Sequence, residues 1–374
     1  MTGILLLLGV VALAYANGSN DISKGIATLV GSGVSYYRRA ILWGTVWTVA
    51  GSLAAGIFSK ALVATFSSGV IAPHVQLPNA FPMAVLIGAT GWVLLATRMG
   101  LPVSTTHAIT GALCGAAIIA FGWPGVLWIS LGKKILLPLL LSPLISFAAL
   151  WILFPAMQSM FAPLNKKCAC AEARVAQSLA AASSAGAVLQ EVDLQAMRVV
   201  VDHLDDCQAR STVIAGVVLG DGLHWVSSAL TSFARGLNDA PKIVALGLLL
   251  TLTVHRDSTS LFVVVALAMG LGSVVAGRRV TETLAEKITP MNPVEGLSAN
   301  LVTSFLVAFA SHWGFPVSTT HVSTGAITGV GLCRKQPAVR WNTVWALLQA
   351  WVITLPVSAA LAAAALPLLK QLSF

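Results

Sequence analysis

The sequence is poor in charge. Only 9% of its 374 residues are charged, and 13 of these are acidic, whereas an ordinary soluble domain carries roughly 25% charged residues. A chain of this length with so few charges cannot cover a globular surface in water, so its exterior is expected to face lipid. Apolar residues make up 57% of the chain, and the mean hydropathy is +0.85. The composition therefore indicates a membrane protein.

Two further scarcities exclude other classes. No motif of the form GxxxxGK[ST] is present, so ATP is not expected to drive the protein. Cysteine is rare, and two of the five lie inside apolar segments, so no disulfide framework is predicted. The cysteines are Cys114, Cys168, Cys170, Cys207 and Cys333.

The net charge of +9 comes from basic residues in short clusters between apolar segments. This pattern is typical of membrane loops that face anionic lipid and follow the positive-inside rule, and it does not favour nucleic-acid binding. The apolar start of the chain lacks a basic leader and runs directly into a polar motif, so it is interpreted as retained structure. The clusters are Arg38–Arg39, Lys133–Lys134, Lys166–Lys167, Arg278–Arg279 and Arg334–Lys335.

The apolar stretches form two groups, which predict a first transmembrane repeat at 1–156 and a second at 211–374. Several stretches fall short of the roughly 20 residues that a helix needs to cross a bilayer. These adjoin Gly, Pro and Asn motifs and are predicted to be broken or re-entrant helices lining a cavity. The segment 157–210 holds six of the thirteen acidic residues and is predicted to be a polar, soluble helical linker.

The linker also contains Cys168, Cys170, His203 and Cys207. These residue types could in principle ligate zinc. Thiol pairs near a linker commonly have no such role, and no metal site is predicted.

A duplicated pair of motifs is the most informative feature. Residues 100–115, GLPVSTTHAITGALCG, recur as 314–329, GFPVSTTHVSTGAITG, with eleven of sixteen positions identical. Upstream of each copy lies a second motif, GSNDISK at 18–24 and GLNDAPK at 236–242. Two polar motifs duplicated together in an apolar chain predict a transporter-like architecture with the substrate bound between the repeats.

The motif PVSTTH predicts a helix that begins near Ser104 and again near Ser318, because Ser follows Pro and is a preferred N-cap. A helix start offers unpaired N–H groups and the positive end of the helix dipole, and three adjacent hydroxyls add donors without adding charge. Such a site suits a tetrahedral oxyanion. His107 and His321, beside these turns, are interpreted mainly as hydrogen-bonded supports.

The Asn–Asp pairs place carboxylates inside apolar stretches, where ionisable residues are functional candidates. Asp21 and Asp239 would repel an anion unless a proton or a bound cation such as Na⁺ neutralised them, which favours cation-coupled symport over an open channel. Each could instead pair with the Lys three residues later, Lys24 or Lys242.

These motifs resemble those of the inorganic phosphate transporter family of sodium- or proton-coupled symporters. That family carries GxNDxAN-type and PVSTTH-type motifs once in each half, and the resemblance extends from Gly18 to Gly329 and includes the segments 232–239 and 279–290. It implies an all-α polytopic membrane protein with two inverted-topology repeats, broken or re-entrant helices and about 10–12 membrane segments. It also implies phosphate as the substrate.

The chain departs from the family pattern at three positions. Arg235 stands where relatives usually have His, Lys24 replaces a second Asn, and Asn300 replaces a common Glu. These changes remove one acid and add up to two positive charges near the expected site, so the coupling ion is left open between Na⁺ and H⁺. Sulfate remains an alternative anion.

The resulting prediction is a symporter of inorganic phosphate in the cell (inner) membrane that is not an enzyme and has no cofactor other than the co-transported cation. Expected partners are phosphate and the bilayer, with a homodimer left open. An intramembrane hydrolase built from Ser104 or Ser318 with the nearby His is disfavoured, because one active site does not need two sets of residues.

The predicted substrate-binding residues are Asn20, Asp21, Ser104, Thr105, Thr106, Asn238, Asp239, Ser318, Thr319 and Thr320. The predicted cation-coupling residues are Asp21, Asp239, Asn20 and Asn238, and the candidate modulators are Lys24, Arg235, Lys242 and Asn300.

Overall fold

The computed structural model describes residues 2–68, 70–72, 77–78, 80–175, 192–210, 213–250, 258–334 and 338–372. Within these ranges the chain is largely helical, as its composition predicts. Lys335 of the last basic cluster and Glu191 of the central acidic set lie outside the described residues.

The described residues of the first half contain eight α-helices, several of them short. Ile22 interrupts the first two, so they form one broken helix. The bounds are α1 (Thr2–Asp21), α2 (Ser23–Gly31), α3 (Tyr37–Phe58), α4 (Lys60–Ser68), α5 (Ala80–Arg98), α6 (Thr105–Phe121), α7 (Trp128–Leu131) and α8 (Leu137–Phe161).

The central region differs from its prediction. Strands β1 (Lys167–Val175), β2 (Val192–His203) and β3 (Val213–Val218) form a sheet in the order β2-β1-β3, and α9 (Leu204–Ala209) is its one short described helix. The helical interpretation of 157–210 was therefore wrong for these segments. The run Leu194–Val201 is rich in β-branched valine, which suits a strand, and antiparallel pairing with β1 prevailed over its helix-compatible spacing.

Six α-helices lie in the described part of the second half, and the first of them follows directly from the sheet, since α10 begins at the residue after β3. One of them, α13, starts with a capping box in which Asn292 and Glu295 satisfy each other's backbone N–H groups. The bounds are α10 (Leu219–Leu250), α11 (Ser258–Ala276), α12 (Arg278–Glu286), α13 (Pro293–His312), α14 (Thr319–Cys333) and α15 (Trp341–Gln371).

Seven helical segments among the described residues are long and apolar enough to cross a membrane. The helices that carry the polar motifs pack among them. The prediction of a helical, multi-pass integral membrane protein is confirmed, with the small central sheet as an addition to it. The seven segments are Gly3–Gly31, Tyr37–Phe58, Ala80–Arg98, Trp128–Lys166, Thr259–Ala276, Pro293–His312 and Trp341–Gln371.

Helices of the first half pack against helices of the second half in matching pairs. Helix α1 packs on α11 and α3 packs on α10, while α6 packs on α15 and α14 packs on α8. The motifs make α6 the counterpart of α14 and the end of α1 the counterpart of the middle of α10. Each extensive contact of the first half therefore has a partner contact in the second. The core lies between the halves, and the inverted topology of the repeats remains a prediction.

Glycines allow these paired helices to approach closely. A Cβ atom at Gly272 would lie 2.0 Å from the carbonyl oxygen of Tyr15, and one at Gly18 would lie 2.0 Å from the carbonyl oxygen of Met269. Small residues have this role in membrane helix pairs because hydrophobic burial does not drive association in lipid. The α1–α11 contact therefore depends on the absence of two side chains.

We expect Gly272→Ala to lower the thermal unfolding midpoint of the detergent-purified protein, because the added methyl group would force α1 and α11 apart. Overpacking of this kind costs roughly 1–3 kcal/mol. Gly132→Ala is the matched control, since a Cβ there would meet no atom within 4 Å. Equal midpoints for the two variants in a scanning-fluorimetry experiment would contradict the packing described.

Candidate functional site

The two Asn–Asp motifs lie in different backbone environments. Asn20 and Asp21 lie where α1 ends at the interruption before α2, whereas Asn238 and Asp239 lie inside the continuous helix α10, just before Pro241. All four side chains are buried. The predicted helix break is therefore present at the first copy of the motif and absent at the second.

One amide connects the two carboxylates. Asn17 Nδ2 donates to Asp21 Oδ2 at 2.7 Å and to Asp239 Oδ2 at 3.3 Å, and it lies 3.1 Å from Thr105 Oγ1. The carboxylates, from opposite halves of the chain, thus share one donor. Sequence analysis missed Asn17, although its position one helical turn before Asp21 in an apolar helix was a usable signal.

Both lysines pair with the neighbouring carboxylates, as the alternative interpretation of the motifs proposed. Lys24 Nζ lies 2.6 Å from Asp21 Oδ1 and 2.9 Å from both the backbone and side-chain oxygens of Asn20. Lys242 Nζ lies 3.3 Å from Asp239 Oδ1 and also donates to Thr106 Oγ1 and the Val317 carbonyl. Each ammonium is therefore surrounded by three oxygen atoms.

The hydroxyl motifs begin helices where expected. Ser104 and Ser318 are the N-caps of α6 and α14, and their side chains accept hydrogen bonds from the backbone N–H groups of His107 and His321. The turns before them use Gly100 and Gly314 at φ of +71° and +74°, a conformation that glycine adopts without the steric cost of a side chain.

Asn20 and Asn238 fix these turns in place. Asn20 Nδ2 donates to the Leu101 carbonyl, and Asn20 Oδ1 accepts from the Val103 N–H. Asn238 Nδ2 donates to the Val317 carbonyl, the equivalent position in the second half. Both amides therefore hold a helix start against an Asp-bearing helix, and these contacts occupy polar atoms that sequence analysis assigned to ligand binding.

The threonines connect the two halves. Thr105 Oγ1 donates to Asp21 Oδ2 at 3.0 Å, Thr106 accepts from Lys242 of the other half, and Thr320 Oγ1 donates to the Val103 carbonyl at 2.8 Å. Thr319 is buried in the first turn of α14. The two helix starts and the two carboxylates thus form one continuous polar cluster.

Arg235 is the most unusual member of the site. It lies one helical turn before Asp239 on α10, is fully buried, and interacts electrostatically with both Asp21 and Asp239. None of its three side-chain nitrogens has a hydrogen-bond partner among the described residues. A buried guanidinium without partners is costly, so this group is available for an anion.

Asn300 belongs to a separate polar cluster. Its side chain accepts from Thr28 and donates to Ser227, and its backbone carbonyl accepts from Thr231 and Ser304. These residues lie on α2, α10 and α13. The substitution at 300 therefore changes contacts between helices, while Lys24 and Arg235 change the charge beside the carboxylates.

His107 and His321 lie beside each other, with ring centroids 4.7 Å apart, and His321 stacks on Trp351. Both histidines line a largely apolar cavity of about 450 Å³ between α8 and α15. His321 Nδ1 contacts the Leu139 carbonyl, as a supporting residue would. Ser104 and Ser318 are engaged with backbone N–H groups, and a Ser–His pair of the kind that a hydrolase needs is not formed by them.

The charges of the cluster set what it can bind. Asp21 and Asp239 contribute two negative charges, and Lys24, Lys242 and Arg235 contribute three positive ones, all from buried side chains. With the usual charge states the cluster carries one excess positive charge in a surrounding of low polarity. A buried charge requires compensation, and a small anion between the two helix starts would supply it.

Comparison with known proteins agrees with this chemistry. A model of the phosphate transporter family matches residues 17–362. A probable low-affinity inorganic phosphate transporter of Bacillus subtilis is 30% identical over 99% of this chain and 97% of its own length, and one of Rhizobium meliloti is 29% identical over 96% and 95%. The solved structure of a sodium-dependent phosphate transporter matches with a TM-score of 0.78 at 21% identity, covering 99% of both chains.

Proposed function

This chain belongs to the phosphate transporter family, and we propose that it is a secondary active symporter that carries inorganic phosphate together with a cation. It is a transporter and not an enzyme. The proposed site lies between the two halves, where the Asn–Asp motifs meet the starts of α6 and α14. The observation that carries the proposal is the buried guanidinium of Arg235, which has no hydrogen-bond partner among the described residues and lies near the two carboxylates that Asn17 bridges.

Anion binding is supported by three kinds of donor in one place. Arg235 offers a planar set of N–H groups suited to the oxygens of phosphate. The starts of α6 and α14 add the positive ends of two helix dipoles. Thr106 accepts from Lys242 and so keeps its own O–H group as a neutral donor. Together these groups can surround a tetrahedral anion from both halves.

The carboxylates favour phosphate over sulfate. Phosphate at neutral pH still carries at least one proton, whereas sulfate has none to donate. Asp21 and Asp239, when ionised, only accept hydrogen bonds, so they match a protonated oxyanion and repel a fully deprotonated one. A site built to hydrogen-bond a hydroxyl discriminates strongly against a ligand that lacks it.

The proposed coupling ion is the proton. Lys24 Nζ lies among Asn20 O, Asn20 Oδ1 and Asp21 Oδ1, which are the carbonyl and carboxylate oxygens by which discontinuous membrane helices bind cations. A tethered ammonium thus occupies the place of one mobile cation. The five charged side chains of the cluster carry one excess positive charge, and one H₂PO₄⁻ ion neutralises it. HPO₄²⁻ leaves one negative charge for a single co-transported proton.

We expect saturable uptake of labelled phosphate, and little uptake of sulfate, in proteoliposomes with separately imposed Na⁺ and pH gradients. Arg235→Gln should raise the KM for phosphate about tenfold or more, because a lost charged hydrogen-bond partner costs roughly 1.5–3 kcal/mol. Arg39→Gln, at an exposed arginine, is the control and should match the parent. An unchanged KM in Arg235→Gln would overturn the assignment of this residue, and non-saturable flux would indicate a channel.

A second expectation concerns the coupling carboxylates. Asp21→Asn and Asp239→Asn should each abolish uptake against a phosphate gradient, because neither amide can take up and release a proton. Both proteins should still insert in the membrane and elute as the parent does. Asp205→Asn changes an exposed carboxylate of α9 and should transport normally. Gradient-driven uptake near the parental level in either site variant would remove that residue from the coupling step.

Lys24 allows a direct test of the coupling ion. The parent should respond mainly to the pH gradient, and Lys24→Asn should gain stimulation by Na⁺, because the oxygens around the former ammonium become free to bind a cation. Lys134→Asn, at an exposed lysine, should leave the ion preference unchanged. Strict sodium dependence in the parent that persists in Lys24→Asn would contradict the proposed role of the tethered charge.

A further inference from the structure

We propose that Cys168, Cys170 and Cys207 form a binding site for one thiophilic metal ion, Zn²⁺ or Cu⁺, in the small sheet between the two membrane halves. The three sulfur atoms lie within 4.8 Å of one another, and all three side chains are buried. This proposal is independent of the transport mechanism and revises the expectation that the central cysteines have no role.

The fold brings the thiols together by two local rules. Cys168 and Cys170 are two residues apart on β1, so their side chains point to the same face of the strand. Cys207 lies on α9, which packs against β1. The sequence pattern Cys-Ala-Cys thus places two sulfurs side by side, and the short helix places the third opposite them.

The valence of sulfur argues against a purely disulfide role. Cys207 Sγ lies within bonding reach of both Cys168 Sγ and Cys170 Sγ, yet one sulfur atom forms only one disulfide. Either pairing leaves one buried thiol unused inside the cluster. A single ion ligated by three thiolates, with release of three protons, engages all three at once. Soft thiolate ligands select Zn²⁺ and Cu⁺ among the common metal ions.

The apolar core of the sheet is small among the described residues. In the part of the chain that the structure describes, this core consists of the three cysteines, with Leu204 and Val213 packed against them as partly buried apolar residues. Units with so small a core usually need a metal ion or a disulfide to fold. A metal site would supply the missing stabilisation.

A network of ion pairs, independent of the cysteine sulfurs, connects α9, which carries Cys207, to the strands. Arg210, just after α9, bonds Glu172 on β1 at 2.7 Å and also bonds Asp202 on β2, while Glu172 contacts Arg198 at 3.1 Å. These pairs hold the ends of α9 and of both strands in register. The ligand positions are therefore fixed by residues other than the ligands, which allows ligand substitutions to be tested in a folded protein.

The metal content of protein purified without chelator or oxidant tests the proposal. About one Zn or Cu ion per chain is expected for the parent by mass spectrometry of the metals, and almost none for Cys207→Ser. The double variant Cys114→Ser/Cys333→Ser removes the two cysteines of the membrane helices and should keep the ion. Reconstitution of apo-protein with Zn²⁺ and, separately, with Cu⁺ under anaerobic conditions identifies which ion is bound.

Two further readouts decide between the remaining outcomes. Added metal should raise the unfolding midpoint of apo parent and leave that of Cys207→Ser unchanged, because only the folded site binds the ion. The singles Cys168→Ser and Cys170→Ser should each bind more weakly than the parent. Metal retained in Cys207→Ser, a disulfide between two of the three cysteines detected by mass after alkylation, or three free thiols that take up neither ion would each overturn the site.

Discussion

The structure depends on the pairing of opposite charges that are buried between membrane helices, away from water. Five ionisable side chains, Asp21, Asp239, Lys24, Lys242 and Arg235, are buried within one cluster. An isolated charge in such surroundings costs several kcal/mol after relaxation. Four of the five pair with each other, and Arg235 has no hydrogen-bond partner among the described residues. The two Lys–Asp pairs lie within single helical turns. The bridge through Asn17 then requires the two halves to pack together.

The need to pair these buried charges explains why helices of one half pack closely against helices of the other. Asn17 of the first half donates to Asp239 of the second, and Lys242 of the second half donates to Thr106 of the first. The close approach of α1 to α11 and of α3 to α10 brings the polar segments within hydrogen-bond distance. Hydrogen bonds thus give specificity to an interface in which apolar contacts have little preference for one neighbour over another.

The sequence predicted those features that depend on short-range chemistry. The helix starts at Ser104 and Ser318 and the Lys24–Asp21 and Lys242–Asp239 pairs all follow from local rules, and the structure has them. The contact of Asn17 with Asp21 follows from their spacing of four residues and could have been predicted, whereas its contact with Asp239, 222 residues away, is one that no local pattern encodes. The central sheet was missed because strands gain stability from pairing partners distant in sequence, which composition does not reveal.

The asymmetry between the halves bears on coupling. The first Asn–Asp motif lies at the one-residue interruption between α1 and α2, where the Asn20 carbonyl accepts from Lys24 Nζ, while the second lies within the continuous helix α10. Free carbonyls near a carboxylate favour a cation, and in this chain Lys24 occupies that position. A tethered ammonium cannot cross with the substrate, so it attracts phosphate without adding to the ions moved per cycle. In the proposed cycle the mobile charge then resides on phosphate and a proton. The proton gradient supplies the driving force, and Asp21 or Asp239 takes up the proton when the anion binds.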